Sequence, residues 1–179
     1  MDKYQNKYRI GSIRLPHWDY RWAGAYFITI CTKNREHYFG EIVNGQMQFS
    51  NTGIIADLLW YQIPYHTQNA DLGAFVVMPN HIHGILIIND HPVDALHATH
   101  PQSSGSTKKN ENMAKISPKP NSVSTIIRSY KSAVTKHAHR LGFEFQWQSR
   151  FYDHIIRDEQ SFQRISDYIL NNPQCWNED

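Results

Sequence analysis

The sequence of 179 residues holds only two cysteines, Cys31 and Cys175, too few for a disulfide framework and in keeping with a reduced, intracellular compartment. No stretch approaches the ~18 consecutive apolar residues of a membrane helix. The opening MDKYQNKYRI is polar and basic where a secretory leader would be apolar, so the expected location is the cytoplasm, with no membrane partner. The chain is short for a (β/α)8 barrel of roughly 250 residues. It shows neither an internal repeat nor a glycine-rich phosphate loop. Apolar residues make up 40% and aromatics 13%, which supports a packed core and argues against general disorder.

Cationic residues are missing from one long stretch. Residues 36–107 carry six acids and no Lys or Arg, whereas residues 1–35 carry seven Lys/Arg against two acids. Residues 108–140 carry eight Lys/Arg against Glu111 alone, and residues 141–179 return to three Arg against seven acids. The formal net charge of +2 therefore hides two basic blocks. Meeting on one face, they would attract a polyanion; apart, they are ordinary solvated surface.

Residues 26–32 (YFITICT) are β-branched and aromatic and read as a strand. Residues 39–50 flank Asn44-Gly45, a strong hairpin signal. A helix is expected from Asn51 to about Tyr65, capped by Asn51 or Thr52, with Ile54, Ile55, Leu58 and Leu59 inward. Residues 73–88 read as two buried strands broken at Pro79-Asn80. Residues 90–121 turn to Pro, Ser, Asn, Lys and His, the composition of a flexible insertion within a single domain spanning 1–179.

Ser122 then caps a helix closed by Gly142, with Val123, Ile126, Ile127, Tyr130, Val134 and Leu141 on its apolar side. Arg128, Lys131, Lys136 and Arg140 lie on the other. Residues 151–157 form a further strand, and Asp158 opens a last helix that ends before Pro173 with Phe162, Ile165 and Ile169 inward. Strands interleaved with helices and partly joined by hairpins predict an α+β fold, an antiparallel or mixed sheet with helices mainly on one face.

Two local patterns carry chemistry. In PNHIHG, strand alternation projects His81 and His83 to one side, about 7 Å apart along the backbone, with Ile82 facing the core. Two imidazoles on one face can converge on a divalent metal or be a satisfied pair of surface histidines. Burying them is unfavourable unless they have partners. A histidine-triad nucleotide hydrolase would need a third His where Ile85 stands. In SDYILNNP, Tyr168 and Asn172 lie four apart on one helical face. They are either a rim aromatic and a helix end, or a nucleophile and an amide ligand next to a metal that polarises the target.

PNHIHG at 79–84 and WQSRFYDHIIRDEQSFQRISDYILNNP at 147–173, in that order and spacing, resemble the single-tyrosine HUH transposases. The likeness is closest to the REP-associated tyrosine transposases and their insertion-sequence relatives. It spans most of residues 20–176 and implies a ferredoxin-like sandwich with a central antiparallel sheet. It also implies Mg²⁺ or Mn²⁺ held by His81, His83 and Asn172, Tyr168 as nucleophile and His154 near the site. Many insertion-sequence members have Gln where Asn172 stands, and the REP-associated branch has Asn. The implied partner is single-stranded or hairpin DNA, cut and rejoined through a 5′-phosphotyrosine, by a monomer or a homodimer and on the nucleoid when DNA is bound.

Arg128, Lys131, Lys136 and Arg140, with the N-terminal Lys3, Lys7, Arg9, Arg14 and Arg21, are then candidate phosphate contacts. Trp22, Tyr26, Trp147 and Tyr152 are candidates for base stacking or for the core. Two other classes stay open: a non-catalytic hairpin-binding protein, and a metal-dependent phosphoesterase using water.

Overall fold

The computed structural model describes residues 18–90 and 121–176, and the backbone of two short antiparallel strands, β1 (Lys3–Tyr4) and β2 (Lys7–Tyr8). The expected insertion at 90–121 and the side chains of Lys3, Lys7, Arg9 and Arg14 lie outside the described residues, save for Asp90 and Asn121 at the insertion's two ends.

β3 (Gly24–Cys31) is followed by the hairpin β4 (Gly40–Val43) and β5 (Gln46–Phe49). Its turn places Asn44 and Gly45 at φ 53° and 73°, the two positive values that a twist-matched two-residue turn requires. Next come α1 (Asn51–Tyr61), α2 (Ile63–His66), β6 (Ala70–Met78) and β7 (His81–Ile88). α3 (Val123–Arg140), β8 (Tyr152–Ile156) and α4 (Glu159–Asn171) complete the order, with a short 3-10 turn, Asn172–Cys175, after α4.

Without the two hairpins, the short α2 and the C-terminal α4, the order is βαββαβ: β3, α1, β6, β7, α3, β8. The sheet runs β6-β7-β3-β8 with every neighbouring pair antiparallel, which is the ferredoxin-like arrangement. The first and third strands of the unit are central, so β7 is paired on both edges. The fold is α+β, with four antiparallel strands and helices packed on them.

The larger core lies between the sheet and α1 with α3. Ile28, Ile30, Ile82, Leu86 and Ile88 from the strands meet Ala56, Trp60, Ile127, Tyr130 and Val134 from the helices. Trp60 stacks on Phe75 at 4.7 Å and meets Tyr130 edge-on at 5.2 Å, and the Tyr130 hydroxyl donates to the carbonyl of Ala56 at 2.8 Å, tying α3 to α1. α4 covers the opposite face, where Ile169 packs with Ile85, Ile156, Phe27 and Phe162.

Local details depart from the sequence pattern. Ser50, not Asn51 or Thr52, caps α1, its side chain accepting from Gly53 N–H at 3.1 Å. α1 turns Thr52, Gly53, Ala56 and Trp60 inward, while Ile54 and Leu58 are exposed. Gly53 lies against the Phe39 backbone with no room for a Cβ, Trp60 is fully buried, and Ile55 and Leu59 pack partly buried against the core as expected. α3 ends as expected at Gly142 (φ 82°), but Leu141 is exposed and Ala138 takes its inward place. Among the described residues no helix is long and apolar enough to cross a membrane.

Candidate active site

β7 alternates as its pattern requires. Ile82, Leu86 and Ile88 enter the larger core, and His81 and His83 face the α4 side, where Ile85 packs. Both histidines are only 7% exposed. Between His83 and Ile85, Gly84 lies under the Trp60 indole, where a Cβ would sit 2.4 Å from Trp60 Cζ2, so the strand needs glycine here for close packing.

The two Nε2 atoms are 3.1 Å apart. Each ring is held from behind: His81 Nδ1 donates to Asn80 Oδ1 at 2.7 Å, and His83 Nδ1 lies 2.9 Å from Thr29 Oγ1, from the residue directly across the β3–β7 ladder. Phe27 stacks on His83 with centroids 5.2 Å apart. Burial disfavours the charged imidazolium and lowers His81 to about 4. It lowers His83 to about 3, with the His81 and Arg35 charges adding to the effect. Both rings are therefore neutral near pH 7, the form that ligates a metal.

Two neutral imidazoles suit a borderline divalent cation, and a harder one only with oxygen ligands added. Two ligand atoms about 2.1 Å from one octahedral ion lie ~3.0 Å apart, close to the separation of the two Nε2 atoms. Among the described residues no three His, Cys, Asp or Glu side chains cluster, so a metal held by the two histidines would need an amide or water for its other ligands.

α4 brings the tyrosine to this pair. Asp158 caps the helix, its side chain accepting from Ser161 N–H at 2.7 Å, and the Phe162–Ile165–Ile169 stripe seats it on the sheet. Tyr168 is 52% exposed, with its hydroxyl 3.4 Å from His83 Nε2 and its ring edge-on to Phe27 at 6.2 Å. Asn172 stays helical (φ −54°, ψ −43°), one turn beyond Tyr168 on the same face, and its side chain makes no hydrogen bond among the described residues, whereas the neighbouring Asn171 amide donates to the Asp167 carbonyl. His154 is exposed on β8 directly opposite Phe27, so it shares the face of the histidine pair without touching it.

The basic and aromatic candidates divide. Arg128, Lys136 and Arg140 are exposed on α3. Lys131 is half-buried, donating to the Gln148 carbonyl at 2.6 Å and lying over the Trp147 ring at 5.6 Å. Arg21 is paired with Asp19 at 2.7 Å. Tyr26 is in the core, accepting from Trp18 Nε1 and donating to Trp22 O, and half-buried Trp147 donates to the Lys131 carbonyl. Trp22 and Tyr152 remain exposed. Asn80, Thr29 and Phe27 touch the histidine pair and were missed by sequence reasoning. Strand register could have found Thr29 and Phe27, since both share the alternation of YFITICT.

No family model matches the chain. A solved REP-associated tyrosine transposase bound to a REP hairpin superposes with a TM-score of 0.53 at 19% identity, covering 94% of this chain and 73% of that one. A crystal structure of a putative transposase from Deinococcus radiodurans gives 0.38 at 14% identity over 92% of this chain and 97% of that one. The chain shares the fold of that REP-associated tyrosine transposase, the fold its motifs led us to expect. An uncharacterized protein of Haemophilus influenzae is 39% identical over 176 residues, covering 94% of this chain and 90% of that protein. The chain belongs to the family of that Haemophilus protein.

Proposed function

We propose that the protein is a transposase-type nuclease that cuts and rejoins single-stranded DNA beside hairpins through a 5′-phosphotyrosine on Tyr168. What supports this most is the placement of an exposed phenol 3.4 Å from Nε2 of a buried His83. The neighbour that shares the fold is itself bound to a REP hairpin.

His81, His83 and the amide oxygen of Asn172 are the residues that would hold Mg²⁺ or Mn²⁺, which when bound supplies charge stabilisation to the phosphate oxygens. The chain's own residues orient the reaction. α4 and the edge contact with Phe27 fix the phenol against the histidine pair. Tyr168 Oη forms a bond to phosphorus as the bond to the 3′-oxygen breaks. The phenol proton passes to solvent, which reaches the half-exposed Tyr168, and the leaving oxygen takes one, leaving a 5′-phosphotyrosine and a free 3′-OH. Attack by a 3′-OH on the phosphotyrosine reverses the step and restores the phosphodiester without an external energy source. His154, exposed on the same sheet face, is the titratable group we assign to proton exchange with the leaving oxygen.

Single-stranded DNA carrying a hairpin, incubated with the protein and Mn²⁺, is expected to give a covalent adduct on a denaturing gel that Tyr168→Phe abolishes. An undiminished adduct in that variant sinks the assignment. Cleavage without an adduct would favour a water-using phosphoesterase, and binding without cleavage a non-catalytic hairpin protein.

A further inference from the structure

α4 starts beside the end of β8, where Ile156 packs with Ile169, Phe162 and Ile165, and then crosses toward β7 and β6. The other end of β8 stays uncovered on this face of the sheet. Strand alternation turns Phe27 and Thr29 of β3 and Tyr152, His154 and Ile156 of β8 to the α4 side. Thr29 lies directly opposite Tyr152, and Phe27 opposite His154. Ile156 is buried, whereas His154 is exposed and Tyr152 is 45% exposed. None of the five carries a fixed charge, and β8 is an edge strand.

The rings on this face form a series that leads from the buried histidines to the open edge. Phe27 stacks on His83, with centroids 5.2 Å apart. Its ring also meets two exposed tyrosines edge-on, Tyr168 of α4 at 6.2 Å and Tyr152 of β8 at 6.4 Å. Thr29, whose hydroxyl lies 2.9 Å from His83 Nδ1, stands between His83 and Tyr152 in one row across β7, β3 and β8. Tyr168 thus shares an aromatic neighbour with a second solvent-facing ring. A neutral aromatic surface offers a π-face to a base, whereas a phosphate calls for a cation. Trp22 is exposed too, but it lies beyond Gly24 at the other end of β3, away from this neighbour.

We propose that one unpaired base beside the scissile phosphate stacks on Tyr152, against Phe27, and that Tyr152 is thereby a specificity-determining residue. The inference rests on the reading of this site as a DNA-cleaving one and adds a requirement to it: the nucleotide next to the cut has to leave any helix to reach Tyr168. A base inside a duplex has both faces covered by its neighbours and cannot use this seat. Preference for an unpaired strand then arises next to Tyr168 itself. It is separate from phosphate contacts on the basic face of α3, which carry no information about the bases.

Binding is measured in a Tyr168→Phe background, which keeps the ring and removes the attacking hydroxyl. Two probes are compared: oligothymidylate, and a strand of equal length built from abasic units, which has the same phosphates and no bases. Tyr152→Ala should weaken oligothymidylate binding about fivefold to a hundredfold and leave binding of the abasic strand and of a blunt-ended hairpin unchanged. The salt dependence should keep its slope, because no phosphate contact has gone. Tyr152→Phe, which retains the stacking ring, should bind both strands as the parent does. Equal losses on the two strands would mark Tyr152 as merely structural and overturn the proposal. Unchanged oligothymidylate binding overturns it as well, and so does a loss in Tyr152→Phe as large as that in Tyr152→Ala. If the unaltered protein forms no adduct, the cleavage reading fails on its own, while the two strands still decide whether Tyr152 holds a base.

Discussion

The Nε2 atoms of His81 and His83 face each other at 3.1 Å, each ring pinned through its other nitrogen by Asn80 and Thr29. Asn80 Oδ1 accepts from His81 Nδ1, which leaves a bare lone pair on His81 Nε2. A proton on His83 Nε2 satisfies that lone pair, with the Thr29 hydroxyl then donating to His83 Nδ1. Rotating the Thr29 hydroxyl so that it accepts from His83 Nδ1 moves the ring proton away and turns both lone pairs toward one point. Neither ring has to move, so a tautomer change alone would free both lone pairs for the cation we propose.

Mn²⁺ should accordingly stabilise the folded protein. A ligand at a hundred times its Kd adds about 2.7 kcal/mol, which thermal denaturation reads as a rise in Tm. His83→Ala should remove most of that rise, and the same rise in the variant would place the cation elsewhere.

Stability without metal should fall on acidification. Both histidines have folded values, about 4 and about 3, below the ordinary 6.5, so the unfolded chain binds protons first as pH drops. Their contribution is complete above pH 6.5 and is lost between there and the folded values. Each group adds at most about 1.4 kcal/mol per pH unit to the slope. Denaturant titrations between neutral pH and pH 4 should show His81→Asn flattening the profile; a profile as steep as that of the unaltered protein would count against a buried, neutral His81.

The parts of the site that local periodicity encodes were legible in the sequence. Alternation in HIHG placed two imidazoles on one side, and the spacing of Tyr168 and Asn172 placed them on one helical face. Elements defined by contacts distant in sequence were not. Asn80, which holds His81, is itself held by the bond from Thr32, across 48 residues, and nothing in PNHIHG announces it. Lys131 belongs to an amphipathic pattern that cannot show its ammonium meeting the Gln148 carbonyl. Ile54 and Leu58 resemble an inward stripe until Trp60 is seen to fill the interior beside the smaller Gly53 and Ala56.

Thr29→Val keeps the volume of a β-branched side chain and removes the hydroxyl behind His83. Loss of such a supporting bond to a metal ligand weakens affinity about tenfold to a hundredfold. The expected result is weaker Mn²⁺ binding, with the metal-free protein losing about 1–3 kcal/mol because the buried His83 Nδ1 is left unpaired. Unaltered Mn²⁺ affinity would show that Thr29 does not set the His83 ring.

Gly84→Ala should disturb the fold and the site together. Its Cβ would lie 2.4 Å from Trp60 Cζ2, a ring fixed by Phe75 on one side and Tyr130 on another, so strand and indole must separate. Overpacking of this kind destabilises by about 1–3 kcal/mol, and the displacement falls on the residue next to His83. Lower Tm and weaker Mn²⁺ binding should appear in the same variant. Trp60→Leu in that background should restore part of both, giving less than additive losses in a double-mutant cycle. Fully additive losses would mean that the methyl group meets something other than Trp60.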